Sequence, residues 1–182
     1  MTRTLILGGA RSGKSRHAEA LAAASGKHVV YVATAQANDT EMSARIAMHR
    51  QQRDADWQTL EESILLGEVI RCYSKADNII LIDCLTLWLS NLLFYDGRAY
   101  PEIGAIEAPE KYHQQRADLL LALKDAAGDV IMVSNEVGGG IVPTGAISRW
   151  FVDEAGRLHQ EIAAICDKAM LIVAGLPLTL KG

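Results

Sequence analysis

Short apolar runs bounded by glycine or polar breaks recur along the chain at 4–7, 28–33, 78–82, 129–134 and 169–174. Each has the length of a strand, and most lack the apolar–polar alternation of a half-exposed one, so they predict strands buried on both faces. Between them, helical spacing of apolar positions runs over about 13–25, 40–53, 61–74, 85–94, 110–127 and 147–167. This alternation predicts an α/β fold, a mostly parallel central sheet with helices on both faces. Residues 96–109 hold Gly97, Pro101, Gly104 and Pro109 and follow neither period, which marks a surface loop rather than a domain linker. No internal repeat or low-complexity segment interrupts the pattern.

Composition narrows the picture. At about 100–200 residues per domain, a chain of 182 residues predicts a single domain over 1–182. Apolar residues at 49%, charged residues at 22%, 15 Gly and 4 Pro exclude a disordered or collagen-like chain. With 18 Lys+Arg against 22 Asp+Glu, the formal charge of -4 supplies no global basic field. Nucleic acid is therefore not an expected partner, and any polyanion must meet a local site. Cys72, Cys84 and Cys166 form no CxxC and are odd in number, which suits a reduced, cytoplasmic setting. The opening MTRTLILGG is too short in its apolar run for a signal peptide. The most apolar stretch, 79–93, carries Asp83, Ser90 and Asn91 and falls short of the ~18 uninterrupted residues a membrane span needs.

The first strand is followed at once by Gly8-Gly9-Ala10-Arg11-Ser12-Gly13-Lys14-Ser15, a full G-x-x-x-x-G-K-[ST] pattern between a predicted strand and a predicted helix. Glycines let the backbone turn its N–H groups inward around an anion, and the helix that follows adds the positive end of its dipole. Lys14 is placed to meet the outer phosphates and Ser15 to offer its hydroxyl to Mg²⁺. The bland alternative is a glycine turn capped by Ser12 beside a surface lysine. The motif makes the expected fold P-loop NTPase-like, with a RecA-like sheet.

Asp83 ends the run Ile79-Ile80-Leu81-Ile82, where parallel-sheet proteins place an acid that holds a metal's water shell. The alternative is a cap on the helix that starts at Leu85, and one residue can serve both ends. The exit of the fourth apolar run delivers Asn135-Glu136-Val137-Gly138-Gly139-Gly140 to the same sheet edge, so Glu136 is either a further site acid or part of a plain turn.

In the segment 40–53, capped by Asp39, Arg45, His49 and Arg53 are spaced i, i+4, i+8, and Arg50 adjoins them. An imidazole among guanidiniums is suited to attack phosphorus, because the cations keep it neutral and stabilise charge on the phosphoryl oxygens. A solvated basic helix face with an incidental histidine would look the same. His17, His28, His113 and His159 show no metal-ligand spacing.

Taken together, GGARSGKS at 8–15, YVATAQ at 31–36, DTEMSARIAMHRQQR at 39–53 with Trp57 and Glu61 behind it, LIDCLTLWLSNLL at 81–93 and SNEVGGGIVP at 134–143 resemble one family, the bifunctional adenosylcobinamide kinase / adenosylcobinamide-phosphate guanylyltransferase of cobalamin biosynthesis. Arg149, Phe151, Asp153, Gly156, Gln160 and Ala163 continue the likeness into the tail. The resemblance implies phosphorylation of the corrinoid's aminopropanol hydroxyl by a nucleoside triphosphate, ATP or GTP, and transfer of GMP from GTP to that phosphate through a GMP-histidine. The matching histidine is His49; Met48 stands where some relatives carry a second one. The resemblance also assigns nucleotide contacts to Gly8, Gly9, Ala10, Arg11, Ser12, Gly13, Lys14 and Ser15, to Thr34, Ala35 and Gln36, to Arg50, Gln51, Gln52 and Arg53, and to Glu61 and Asp83. It implies catalytic roles for His49 and Lys14, Mg²⁺ at Ser15 and Asp83, and a homo-oligomer, typically a trimer. The readings that compete are a monofunctional small-molecule P-loop kinase and a regulatory nucleotide-binding NTPase.

Overall fold

The computed structural model describes residues 1–36, 54 and 56–182. Its elements run β1 (Arg3–Gly8), α1 (Lys14–Ala24), β2 (His28–Ala33), β3 (Gln58–Glu61), α2 (Leu66–Tyr73), β4 (Asn78–Asp83), α3 (Leu85–Leu93), α4 (Glu110–Asp125), β5 (Asp129–Asn135), α5 (Ala146–Ile165), β6 (Lys168–Val173) and β7 (Leu176–Lys181). Among the described residues, seven strands form one sheet in the order β3-β2-β4-β5-β1-β6-β7. Every neighbouring pair is parallel except β6 and β7.

The unalternating apolar runs are explained by the layers. Leu5, Leu7, Val30, Val32, Ile80, Ile82, Val130 and Met132 point to one face, where they meet Leu66, Trp88, Leu119, Leu158 and their neighbours on α2, α3, α4 and α5. Ile6, Val29, Tyr31, Ile79, Leu81, Ile131 and Val133 point to the other, against Ala18 and Ala22 of α1. With both faces covered, each strand needs apolar residues at every position, and each such side chain buried contributes about 1.5–3 kcal/mol. Small residues on α1 let it lie close to the sheet. The α/β expectation with helices on both faces therefore holds.

Three expectations need correction or closer definition. The helix anticipated over 61–74 begins only at Leu66, because Gln58–Glu61 pairs as a short strand on β2 and the Glu62 carboxylate then accepts the Ile64 and Leu65 N–H groups at 2.7 and 2.9 Å, turning the chain before the helix starts. A strand at 176–181 was not anticipated. β7 folds back antiparallel on β6 through Ala174 and Gly175, both at positive φ, and its Pro177 is tolerated because β7 is an edge strand. Residues 96–109 contain no helix or strand, as expected, yet Tyr100, Ile106 and Ala108 of this loop pack on the core. Tyr100 lies against Phe94 and Trp150, with ring centroids 5.6 and 5.2 Å away. The helix expected over 40–53 lies outside the described residues. No helix among the described residues is long and apolar enough to cross a membrane.

Candidate active site

Register aligns the ends of the parallel strands. Ala33 stands opposite both Glu61 and Asp83, Asp83 opposite Val133, and Gly8 opposite both Asn135 and Ile172. The residues that leave these strands, Gly9, Thr34, Glu62, Cys84 and Glu136, thus share the carboxyl edge, which is where open parallel sheets hold ligands. α1 starts at the same edge.

The P-loop is built by backbone geometry. Arg11 and Gly13 adopt positive φ, 57° and 92°, so the loop curls back before the helix. Ser12 N–H donates to Gly9 O at 3.2 Å and His17 N–H to Gly13 O at 3.0 Å. A Cβ on Gly8 would sit 2.8 Å from Ile172 O, so that position requires glycine for close approach, while at Gly13 the positive φ disfavours a side chain whose Cβ would also crowd Gly175 Cα at 3.2 Å. The cradle is also tied to the distant hairpin, because Gly175 N–H donates to Ser12 O at 2.8 Å. The helix N-cap is Gly13 with no side-chain cap, and the Ser12 hydroxyl is buried without a hydrogen-bond partner among the described residues. Ser12 is therefore not a cap. Lys14 Nζ reaches across the loop to Gly9 O at 3.3 Å.

Of the two readings of Asp83, the structure removes the helix cap. The N-cap of α3 is Cys84, with no side-chain cap bond, while Asp83 Oδ2 accepts the Tyr31 hydroxyl at 3.2 Å. Tyr31 in turn stacks on Trp57, ring centroids 6.4 Å apart. Burial and the neighbouring Asp83 charge push the Cys84 thiol up to about 11, so it stays protonated beside the site. Burial likewise pushes Cys166 up to about 12. Oxygen donors at Ser15 and Asp83 are the hard ligands Mg²⁺ takes alongside phosphate oxygens. Among the described residues no group of three His, Cys, Asp or Glu side chains forms a metal cage.

Thr34 is fully buried and its hydroxyl is spent on Cys84, donating to the carbonyl at 2.7 Å and accepting the N–H at 2.8 Å. Its N–H donates to Asp83 O at 3.2 Å and its carbonyl accepts Asn91 Nδ2 at 2.9 Å. Thr34 therefore locks the β2 and β4 exits together, and Ala35 and Gln36 extend from that clamp into the edge. Gln36 Nε2 donates to Ser63 Oγ at 2.8 Å. Glu61 is exposed at the end of β3. His49, Arg50, Gln51, Gln52 and Arg53 lie outside the described residues.

Sequence reading missed four contributors: Tyr31 as the partner of Asp83, Asn91 as the link between Thr34 O and Ser63 O, Gly175 as a support for the cradle, and the pairing of His159 with Ser134 at 2.7 Å. A lone Asn inside the apolar face of α3 was the available signal for Asn91. The others depend on long-range contacts.

A parallel sheet in which β5 lies between the P-loop strand and the strand ending in Asp83, with the cradle opening at its carboxyl edge, defines a P-loop nucleotide-binding protein of the NTPase class. Solved structures agree on the fold. The chain superposes on an ATPase of the type III secretion system of pathogenic bacteria with TM-score 0.57 at 12% identity, covering 98% of this chain and 56% of that one. It superposes on the flagellar accessory protein FlaH of Methanocaldococcus jannaschii with TM-score 0.52 at 13% identity, covering 99% and 78%. Within that class the chain belongs to the cobinamide kinase / cobinamide phosphate guanyltransferase family, whose family model matches residues 4–180. It is 52% identical over 180 residues to the bifunctional adenosylcobalamin biosynthesis protein CobP of Pseudomonas aeruginosa, covering 99% of this chain and 98% of that protein. To the bifunctional adenosylcobalamin biosynthesis protein CobU of Escherichia coli K12 it is 41% identical over 179 residues, covering 97% and 98%.

Proposed function

We propose that this protein phosphorylates adenosylcobinamide with a nucleoside triphosphate and then transfers GMP from GTP to the product, giving adenosylcobinamide-GDP and pyrophosphate. The observation that carries the reading is the family match over residues 4–180. One P-loop domain serves both steps. For GMP transfer, His49 attacks the α-phosphorus, a phosphoramidate forms as pyrophosphate leaves, and the phosphate of the corrinoid then displaces histidine. For phosphorylation, the corrinoid hydroxyl attacks the γ-phosphorus. Backbone N–H groups of Gly9 to Lys14 and the Lys14 ammonium hold the phosphates in both steps. Ser15 and Asp83 would hold Mg²⁺, which supplies charge neutralisation at the phosphate oxygens. Arg50 and Arg53 suit the phosphates and Glu61 the guanine N–H donors. The protein works as a homotrimer in the cytoplasm.

The test incubates purified protein and its His49→Ala variant with Mg²⁺ and α-³²P-labelled GTP without corrinoid, followed by denaturing electrophoresis and acid or base treatment. An acid-labile, base-stable label on the wild type that is absent from the variant is the expected result. No label, with corrinoid phosphorylation intact, would instead make the protein a monofunctional kinase.

A further inference from the structure

β5 lies between β1, which leads into the P-loop, and β4, which ends in Asp83. The residue leaving β5 is therefore delivered between the phosphate cradle and the proposed metal-side carboxylate. That residue is Glu136. Its N–H donates to Gly8 O at 3.0 Å, pinning it against the start of the cradle. Its Oε1 accepts the Gly138 N–H at 2.7 Å, its Oε2 lies 3.9 Å from His159 Nδ1, and its side chain is 36% exposed. By contrast Asp83 leaves a strand two places from β1 and Glu61 one four places away, roughly 10 and 19 Å at about 4.8 Å per strand.

Behind Glu136 runs a buried chain of hydrogen bonds. Thr86 Oγ1 accepts the Asn135 N–H at 2.6 Å and lies 3.0 Å from Ser134 Oγ, which lies 2.7 Å from His159 Nε2. Of the two proton orders these distances allow, the one in which Thr86 donates to Ser134 and Ser134 to Nε2 suits the neighbouring carboxylate. This direction leaves the ring proton on Nδ1, directed at Glu136 across 3.9 Å, beyond hydrogen-bond length; the reverse would aim a ring lone pair at a carboxylate. Burial lowers the His159 pKa against the opposing pull of Glu136, which agrees with a neutral ring.

We infer that Glu136 accepts the proton of the acceptor hydroxyl during phosphorylation, its carboxylate fixed by the Gly138 N–H at 2.7 Å, and that Thr86, Ser134 and His159 form a positioning chain that packs behind it, the ring 3.9 Å away. The inference rests on the kinase reading proposed above. In the step, a lone pair of the hydroxyl oxygen forms a bond to the γ-phosphorus. The bond from that phosphorus to the β,γ-bridging oxygen breaks, and its electron pair leaves on the nucleoside diphosphate. The hydroxyl proton passes to a Glu136 oxygen and then to water. Formation of the GMP-histidine deprotonates no hydroxyl and does not call on this base.

The experiment compares wild type, Glu136→Gln, His159→Gln and the double variant in steady-state phosphorylation of the corrinoid, in self-labelling by α-³²P-labelled GTP, and in thermal melting. Glu136→Gln is expected to lower kcat by about 100-fold or more while the nucleotide KM and the extent of self-labelling stay within about threefold. His159→Gln is expected to lower kcat about tenfold, and the double variant to be no slower than Glu136→Gln, because His159 acts through Glu136. If His159→Gln fails to fold, Ser134→Ala removes the link to the ring instead. Wild-type kcat in Glu136→Gln, or an equal loss of phosphorylation and self-labelling, would overturn the assignment. Additive losses in the double variant would overturn the positioning role. A wild type that does not phosphorylate the corrinoid would overturn the kinase reading itself, an outcome distinct from a Glu136 variant that works as well as an active wild type.

Discussion

Thr34 illustrates how a residue can belong to a site without offering it a side chain. Its hydroxyl bridges the Cys84 N–H and C=O inside the core. Thr34→Val keeps the shape but leaves both groups without that partner, and it is expected to lower unfolding free energy by about 1–3 kcal/mol in urea titration. For Lys14 and His49 the expected effects are on chemistry. Lys14→Ala should impair both phosphorylation and GMP transfer through lost phosphate binding, whereas His49→Ala should abolish GMP transfer and spare most phosphorylation, as measured by assaying the two reactions separately. Equal loss of both in His49→Ala would refute the division of labour. The residue types of the P-loop were readable from sequence because a backbone anion cradle demands glycine at particular offsets. The partners of Thr34, Asp83 and His159 were not, since they lie 25 to 57 positions away along the chain.

At the scale of elements, the β6–β7 hairpin is a working part of the cradle, because its turn residue Gly175 donates to Ser12 O. Ala174 and Gly175 both hold positive φ, 52° and 79°, the signature of a two-residue I′ turn, in which alanine is a poor choice at the first position. Ala174→Asn creates the Asn-Gly pair such turns favour and is expected to raise stability by about 0.5–1 kcal/mol, read as a higher urea midpoint at unchanged slope. The five inner strands announced themselves as apolar runs. β3 and β7 did not, because an edge strand needs neither continuous apolarity nor strong propensity; its existence depends on the neighbour it pairs with.

At the scale of the molecule, acid is expected to weaken the fold in two windows. His159 takes up a proton near 6.5 when unfolded and at a lower pH when folded, since burial disfavours the imidazolium more than Glu136 favours it. The unfolded state then binds more protons between those values, so stability falls as pH drops below about 6.5 and levels off under the folded value. For Asp129, burial pushes the carboxyl up but Lys27, the Thr2 N–H and the chain amino group pull it further down, below its usual 3.8. Its contribution is present above that value and is lost as pH falls through the folded one. Urea midpoints at about pH 7.5 and about pH 5 should differ more in wild type than in His159→Gln. Light scattering after size exclusion is expected to give three times the 19.7 kDa chain mass; a monomer would refute the trimer.

By itself the sequence determined the α/β class, the position of the P-loop turn between the first strand and the first helix, and the acids that would reach the sheet edge. These follow from local rules: periodicity reports which faces are buried, and an anion-binding turn constrains adjacent residues. Only the tertiary structure decided that Asp83 faces Tyr31 rather than capping α3, that Thr34 is a clamp, that the final hairpin braces the P-loop, and that Ser134 and His159 stand behind Glu136. Each of those depends on strand order and register, which bring residues far apart in sequence to one edge, and no local pattern encodes which strand lies beside which.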